Sequence, residues 1–192
     1  MKTLALLLLC IGLTLPAIAV GAAPDLERQC LDCHRPGQVR GEIPMIEGQQ
    51  PGYLRHQLQR FRDRHRLSFP MSALAAGFDE AAIGALVAEL SKRKWPVDQV
   101  PVAADAVERG RRRAAELACE SCHGEDFMGA GDVPRTAGQQ PGYLARQIAA
   151  FGVGHRWHPP TGTGARMHVL EASEARDIAA YLHSRPTRKP SE

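Results

Sequence analysis

The sequence predicts an all-α protein built from two tandem domains of similar design. A seven-residue segment that begins at Gly48 recurs letter for letter at Gly138, 90 positions later. In both copies, apolar residues recur at the three- and four-residue spacing of helices that are buried on one side. The chain shows no run of predicted strands. The repeat therefore predicts two domains that share one helical design.

The N-terminal residues have the features of an export signal. Lys2 gives a positive start, and an apolar run follows from Leu4 to Leu15. That run is too short for a membrane span, and small residues at 17–19 offer a cleavage site. We expect residues 1–23 to be a signal peptide that is removed on export.

The rest of the chain divides at changes in composition. We expect the first domain at residues 24–94 and the second at residues 103–185. A proline-containing linker at 95–102 separates them, and a polar tail follows at 186–192. Prolines in the linker favour an extended connection.

The first predicted helix differs between the copies. Only a short lead-in from Asp25 to Gln29 precedes the first cysteine pair, whereas a full helix is predicted from Asp105 to Ala118, with Asp105 as its N-cap. We expect the first domain to be the less stable one, because this helix ordinarily packs against the last.

Two further helices are predicted in each copy. The middle helices start at Pro51 and Pro141, since proline suits a first helical turn. Their expected core residues are Leu54, Leu58, Phe61, Leu144, Ile148 and Phe151. The expected core residues of the final helices are Ile83, Leu86, Val87, Leu90, Ile178, Tyr181 and Leu182. An irregular stretch with a methionine separates the middle and final helices.

A C-x-x-C-H motif occurs once in each copy. Its residues are Cys30, Cys33 and His34 in the first copy, and Cys119, Cys122 and His123 in the second. Two thiols on one helical turn can each add to a vinyl group of one porphyrin, and the following histidine can then ligate the iron. The motifs predict two covalent haem c groups.

Other interpretations of the four cysteines are two disulfides, a Cys₄ zinc site or a thioredoxin-like redox pair. None of them explains a histidine directly after both pairs. The formal charge of +3 gives no indication of a nucleic-acid partner. Arginine runs at 60–66 and 109–113 are interpreted as solvated helix faces, with a docking patch for an acidic redox partner as the alternative.

The order of motifs resembles that of class I cytochromes c: C-x-x-C-H, then G-Q-x-P-x-Y-L, then a methionine before the last helix. The doubled arrangement resembles the di-haem cytochrome c4 family. The resemblance implies two tandem class I cytochrome c domains whose haems face each other through their propionate edges. It also implies that Pro44 and Pro134 accept hydrogen bonds from the haem histidines.

The same resemblance implies Met71 and Met167 as distal iron ligands opposite His34 and His123. Both methionines lie between the middle and final helices, where the chain must cross the far side of the haem. Bis-histidine ligation stays open as the alternative. Its candidates are His65 and His155, which align in the two copies, and His158 and His168 in the second copy alone.

As function, the resemblance implies a periplasmic electron carrier and not an enzyme. The expected partners are a donor such as quinol–cytochrome c reductase (the bc1 complex), a terminal oxidase or a dehydrogenase subunit, with peripheral membrane association through them. The alternatives are a cytochrome subunit of a complex that oxidises small molecules, and a haem enzyme or sensor with an open iron site.

Overall fold

The computed structural model describes residues 23–36, 42–97, 100–159 and 170–186. Within these ranges the first domain contains helices α1 to α4, which span Ala23–Cys33, Pro51–Arg62, Met71–Ala75 and Glu80–Lys92. The second contains α5 to α8, which span Ala104–Glu116, Glu120–His123, Pro141–Gly152 and Ala172–Ser184. The all-α prediction is confirmed. No helix in the described part of the chain is long and apolar enough to cross a membrane.

Helices α2 and α7 begin where the residue types predict, whereas the N-cap of α5 differs from the prediction. Pro51 and Pro141 are the first residues of α2 and α7, as predicted. The prediction that Asp105 caps α5 is wrong, because the N-cap is Ala103. Asp105 lies in the first turn instead, where its carboxylate accepts a hydrogen bond of 2.8 Å from Arg109 Nη1. A carboxylate in a first helical turn is still favourable, because it faces the positive end of the helix dipole.

The core of the second domain lies where α5 and α7 pack against α8. Twelve buried residues form it: Ala114, Leu117, Phe127, Ala137, Leu144, Ile148, Leu170, Ala175, Ile178, Ala179, Tyr181 and Leu182. The core cluster of the first domain has five: Leu31, Leu54, Ile83, Val87 and Leu90. The predicted apolar faces are thus confirmed, except that Leu58 and Phe151 are only partly buried.

The crossing of α5 and α8 depends on a glycine. A Cβ atom on Gly110 would lie 1.9 Å from the backbone oxygen of Asp177, so the two helix backbones meet where only glycine fits. Arg109 strengthens the same crossing through hydrogen bonds of 2.7 and 2.9 Å to the Asp177 carboxylate.

The repeated Gly-Gln-Gln-Pro-Gly-Tyr-Leu segment ties α2 and α7 to the last helix of their own domains. The amide of Gly48 donates to the carbonyl of Leu90 at 2.8 Å, and the amide of Gly138 donates to that of Leu182 at 3.0 Å. Both glycines have left-handed φ values, +62° and +68°, which favour glycine over other residues.

The first glutamine of each repeated segment joins the two domains in a reciprocal pattern. Gln139 accepts from the amide of Met45 and donates to its carbonyl, both at 2.8 Å. Gln49 accepts from the amide of Arg135 at 2.8 Å and donates to its carbonyl at 3.0 Å. All four residues are buried, so each domain satisfies backbone groups of the other where water is excluded.

Candidate functional site

The first motif is carried by the end of α1. Cys30 and Cys33 lie one helical turn apart within that helix, and His34 follows it directly. The His34 ring is buried, and its Nδ1 donates to the carbonyl of Pro44 at 2.7 Å. This bond fixes the tautomer that leaves Nε2 without a proton, available to a metal.

The second motif is built on a separate short helix. Helix α5 ends at Glu116, Ala118 has a left-handed φ of 50°, and α6 then carries the motif to its last residue, His123. The Nδ1 atom of His123 donates to the carbonyl of Pro134 at 3.0 Å. Both carbonyl contacts implied by the resemblance are therefore present.

Burial shifts the pKa values of the histidine and of one thiol in each motif. Burial lowers the pKa values of His34 and His123, which favours the neutral imidazole that ligates metals. Burial raises the pKa of the Cys30 thiol, and that of the Cys119 thiol to about 11. Burial thus disfavours the thiolate forms of Cys30 and Cys119.

The rival interpretations of the cysteines find no support in the described residues. None of the four motif cysteines is paired with another cysteine in a disulfide. In the part of the chain that the structure describes, no group of three or more His, Cys, Asp or Glu side chains could hold a metal ion. Each motif instead presents two thiols and one oriented imidazole, which is the donor set that a c-type haem requires.

The candidate distal ligands differ in how the structure places them. Met71 is the first residue of α3 and is half-buried. Met167 and His168 lie outside the described residues. His65 and His155 are exposed. The ring of His158 lies 6.4 Å from that of His123, centroid to centroid, with 24° between the two planes.

A cluster of polar side chains at the domain junction was missed by the sequence interpretation. Arg66, expected on a solvated helix face, instead points between the domains. Its guanidinium donates to Gln57 Oε1 at 2.7 Å, to Gln147 Oε1 at 3.0 Å and to the Tyr143 hydroxyl at 3.4 Å. In contrast, Arg109, Arg111, Arg112 and Arg113 form ion pairs at the surface, as expected for a solvated face.

Arg156 makes the matching contacts from the second domain. Its guanidinium donates to Gln147 Oε1 at 2.6 Å, to the Tyr53 hydroxyl at 2.9 Å and to Gln57 Oε1 at 3.1 Å. Arg66 and Arg156 align in the two repeats, as do the tyrosines and the glutamines. That alignment is the signal that could have identified the cluster from sequence.

The cluster carries positive charge that the described protein groups do not neutralise. Neither Arg66 nor Arg156 pairs with a carboxylate among the described residues. Burial would raise the pKa of Tyr143, but the two guanidinium groups outweigh it and lower that pKa to about 8. Two cations that favour ionisation of a buried phenol also favour carboxylates, because arginine pairs strongly with them. The two guanidinium groups would therefore suit carboxylates such as the propionates of bound haem c.

Comparisons with known proteins agree with this geometry. Residues 107–186 match the family model Cytochrome c. A cytochrome c-552 of Acidithiobacillus ferridurans is 29% identical, with 93% of this chain and 84% of that protein aligned. The solved structure of cytochrome c4 from Acidithiobacillus ferrooxidans matches with a TM-score of 0.69 and 28% identity, over 82% of this chain and 99% of that one. The second half of the chain is therefore a cytochrome c domain. The chain as a whole is similar to the di-haem cytochromes c4.

A third relative is named as the electron acceptor of a thiosulfate dehydrogenase. This protein, from Stutzerimonas stutzeri (strain A1501), is 29% identical, with 84% of this chain and 81% of that protein aligned. The relatives of this chain therefore include one that is named only as a cytochrome and one that is named for the enzyme that reduces it.

Each domain of this cytochrome carries one covalent haem c, held by Cys30 and Cys33 in the first and by Cys119 and Cys122 in the second. The iron of a bound haem c changes between its ferric and ferrous states and so carries one electron. His34 and His123, each with Nδ1 held by a carbonyl, would offer Nε2 to the iron of a bound haem. At the junction the protein supplies two guanidinium groups for carboxylates.

Proposed function

We propose that this cytochrome is a periplasmic electron carrier that takes electrons from a respiratory donor, such as quinol–cytochrome c reductase, and delivers them toward a terminal oxidase. The observation that carries the proposal is the junction, where the two domains exchange reciprocal hydrogen bonds through Gln49 and Gln139. A fixed junction keeps the two haems at one separation and orientation. That arrangement suits repeated electron transfer between them better than domains that move independently.

The oriented proximal ligands support the same use. His34 and His123 are each held by a backbone carbonyl within a buried environment. A ligand that is already in place needs little rearrangement when the iron changes its charge. We also propose Met71 as the distal ligand of the first haem, because α3 begins with it in the segment between the middle and final helices.

The export of the chain is part of this proposal. The apolar run and the small residues before position 24 favour a signal peptide, and a periplasmic carrier would meet both proposed partners at the outer face of the inner membrane. Mass spectrometry of the protein from a periplasmic extract should give a chain that starts near Pro24 and carries two haems. A protein that retains its first 20 residues would contradict this part.

A second candidate function is the electron acceptor of an enzyme that oxidises a small molecule such as thiosulfate. The relative named for that role favours it, since the match extends over most of both chains. The fold serves either role, because each requires only that an enzyme reduce the haems and a partner oxidise them.

The two candidates separate in a reduction assay with purified partners. Stopped-flow spectroscopy would follow the haem bands of the oxidised protein, mixed with quinol–cytochrome c reductase and quinol or with thiosulfate dehydrogenase and thiosulfate. We expect fast reduction by the reductase and fast reoxidation by a terminal oxidase. Reduction by the dehydrogenase alone would replace the respiratory proposal with the second candidate. A sample with quinol but no reductase controls for direct reduction.

A further inference from the structure

The peptide group that orients the proximal histidine of the first domain is also bonded to the second domain. The Pro44 carbonyl accepts from His34 Nδ1 at 2.7 Å, and the N–H of the same peptide group belongs to Met45. That N–H donates to Gln139 Oε1 of the second domain at 2.8 Å. His34 and Gln139 therefore hold opposite ends of one planar peptide group.

The second domain contains the same arrangement in the opposite direction. The Pro134 carbonyl accepts from His123 Nδ1 at 3.0 Å, and the N–H of that peptide group belongs to Arg135. This N–H donates to Gln49 Oε1 of the first domain at 2.8 Å. Each domain thus holds the peptide group that orients the histidine of the other domain.

Each glutamine fixes its peptide group with two bonds. Besides accepting from the amide of Met45, Gln139 donates from Nε2 to the Met45 carbonyl at 2.8 Å. Gln49 contacts both backbone groups of Arg135 in the same way, at 2.8 and 3.0 Å. Because both glutamines and both of their partners are buried, water does not replace these bonds readily.

Within their own domains the two side chains have a different task. Gln139 Oε1 also accepts from the amide of Gln140, and Gln49 Oε1 accepts from the amide of Gln50, both at 2.9 Å. These bonds lie at the starts of α7 and α2. Among the described residues, neither glutamine side chain bonds to the proximal peptide group of its own domain. Its effect on a histidine is therefore directed across the junction.

A chain of hydrogen bonds transmits this effect. When a peptide N–H donates to an acceptor, its carbonyl becomes a stronger acceptor at the other end, because bonds in series polarise one another. A stronger bond from His Nδ1 makes Nε2 a more basic ligand. A more basic ligand stabilises ferric iron, so hydrogen bonding behind the ligand is one way in which a protein sets the potential of a haem.

We propose that Gln139 is a positioning residue for the proximal ligand of the first haem and Gln49 for that of the second, so that each domain tunes the reduction potential of the other domain's haem. The inference rests on the haem-carrier function proposed above and assigns a second role to the junction. It predicts that the two potentials keep their native values only while the domains are docked.

Substitution by methionine tests the proposal, since it keeps the length of the side chain and removes its hydrogen-bonding atoms. Gln139→Met should raise the potential of the first haem and speed the solvent exchange of the His34 Nδ1 proton. The second haem and His123 should stay as they are. Gln49→Met should give the reverse pattern. A redox titration followed by NMR measures each haem separately through its paramagnetically shifted signals.

Gln57→Met is the matched control at the junction. Gln57 accepts from Arg66 and Arg156 across the junction but bonds to neither proximal peptide group. This variant should leave the exchange of both histidine ring protons unchanged. The proposal is overturned if the control speeds that exchange equally. It is also overturned if a Gln49 or Gln139 variant shifts both haems alike, shifts only the haem of its own domain, or shifts neither.

The unaltered protein decides the question even if a variant does not fold. The His34 ring proton and the Met45 amide should open with the same free energy in hydrogen exchange, because both lose protection when the peptide group leaves Gln139. A ring proton that stays protected after the Met45 amide opens would show that His34 does not depend on Gln139.

These outcomes are independent of the carrier function. The potentials and the exchange of the ring protons decide the role of the glutamines, whereas the partner assay measures only the rate of reduction. A protein with the crossed shifts that neither enzyme reduces would keep this role and remove both candidate functions. Fast reduction without crossed shifts would do the opposite.

Discussion

The two domains share their motifs but differ in how much of their stability the protein chain supplies. Among the described residues, the first has a core cluster of five side chains and the second a cluster of twelve. The difference arises largely at the first helix: α5 crosses α8 at Gly110 with backbone-to-backbone contact, whereas α1 is short and already includes the cysteines. A haem that closes a small core contributes a larger share of the interior. Similar motifs therefore do not imply similar dependence on the cofactor.

The ion pairs at the first helices also differ. In the first domain, Arg93 after α4 pairs with Glu27 of α1 and lies 3.5 Å from Glu47. In the second, Arg109 pairs with Asp177, and Arg113 lies 3.1 Å from Glu174. Both domains thus pair arginines that are partly exposed with carboxylates of another element, so these pairs do not offset the difference between the cores.

Removal of one haem should have the largest effect, and the loss of structure should differ between the two domains. Replacement of Cys30 and Cys33 by Ala, or of Cys119 and Cys122 by Ala, should each lower the intact mass by one haem. Without its haem, the first domain should lose amide protection in α4 almost completely. The second should keep part of it in α5 and α8, because more apolar contacts remain there. Hydrogen exchange with mass spectrometry measures both.

The control for this comparison is the untouched domain of each variant, which should keep its native exchange. Equal loss of protection in both variants would show that the core difference has no influence on stability.

Loss of a junction glutamine should have the next largest effect. Gln139→Ala leaves the buried amide and carbonyl of Met45 without partners, and each unsatisfied group costs roughly 1–3 kcal/mol. Gln49→Ala removes the matching hydrogen bonds to the amide and carbonyl of Arg135, and we expect a destabilisation of similar size. Denaturant unfolding followed by circular dichroism gives both free energies.

Gln59→Ala is the matched control, because among the described residues the Gln59 side chain bonds only to the exposed carboxylate of Glu80. A clear difference between the Gln49 and Gln139 variants would mean that the pseudo-symmetric contacts are not equivalent in energy.

A methyl group at the α5–α8 crossing should destabilise the second domain alone. Gly110→Ala places its Cβ against the backbone oxygen of Asp177, and overpacking of this kind costs about 1–3 kcal/mol. Gly84→Ala, in the middle of α4 with its nearest neighbour 3.9 Å away, is the matched control. It should raise stability by about 0.5–1 kcal/mol, since alanine loses less entropy in a helix. Thermal unfolding measures both, and a stabilising Gly110→Ala would contradict the close approach.

Neutralisation of the arginine face of α5 should have the smallest effect. Arg111 and Arg112 are exposed and pair with Glu108 on the same helix, so Arg111→Gln with Arg112→Gln should change stability by less than about 0.5 kcal/mol. If this face also docks an acidic partner, the salt dependence of reduction in the stopped-flow assay should weaken. An unchanged salt dependence would show that this face is a solvated surface and does not dock the partner.

Most of the fold could be predicted because its signals are local. The helix starts at Pro51 and Pro141 and the buried faces of α4 and α8 follow from residue type and spacing within a few turns. The Arg66 contacts could not be predicted in the same way. In sequence, Arg66 belongs to a run of arginines that resembles a solvated face, and only the approach of the second domain brings Tyr143 within reach.

The sequence by itself determined the two haem motifs, the repeat and the helical faces, because each of these depends on residues within one or two helical turns. Tertiary structure decided the rest. The bonds between Gln139 and Met45 join positions 94 residues apart, and the approach of His158 to His123 depends on how a loop returns across a helix. Such contacts form only when the loops close and the domains meet. No local spacing in the chain could therefore predict these contacts.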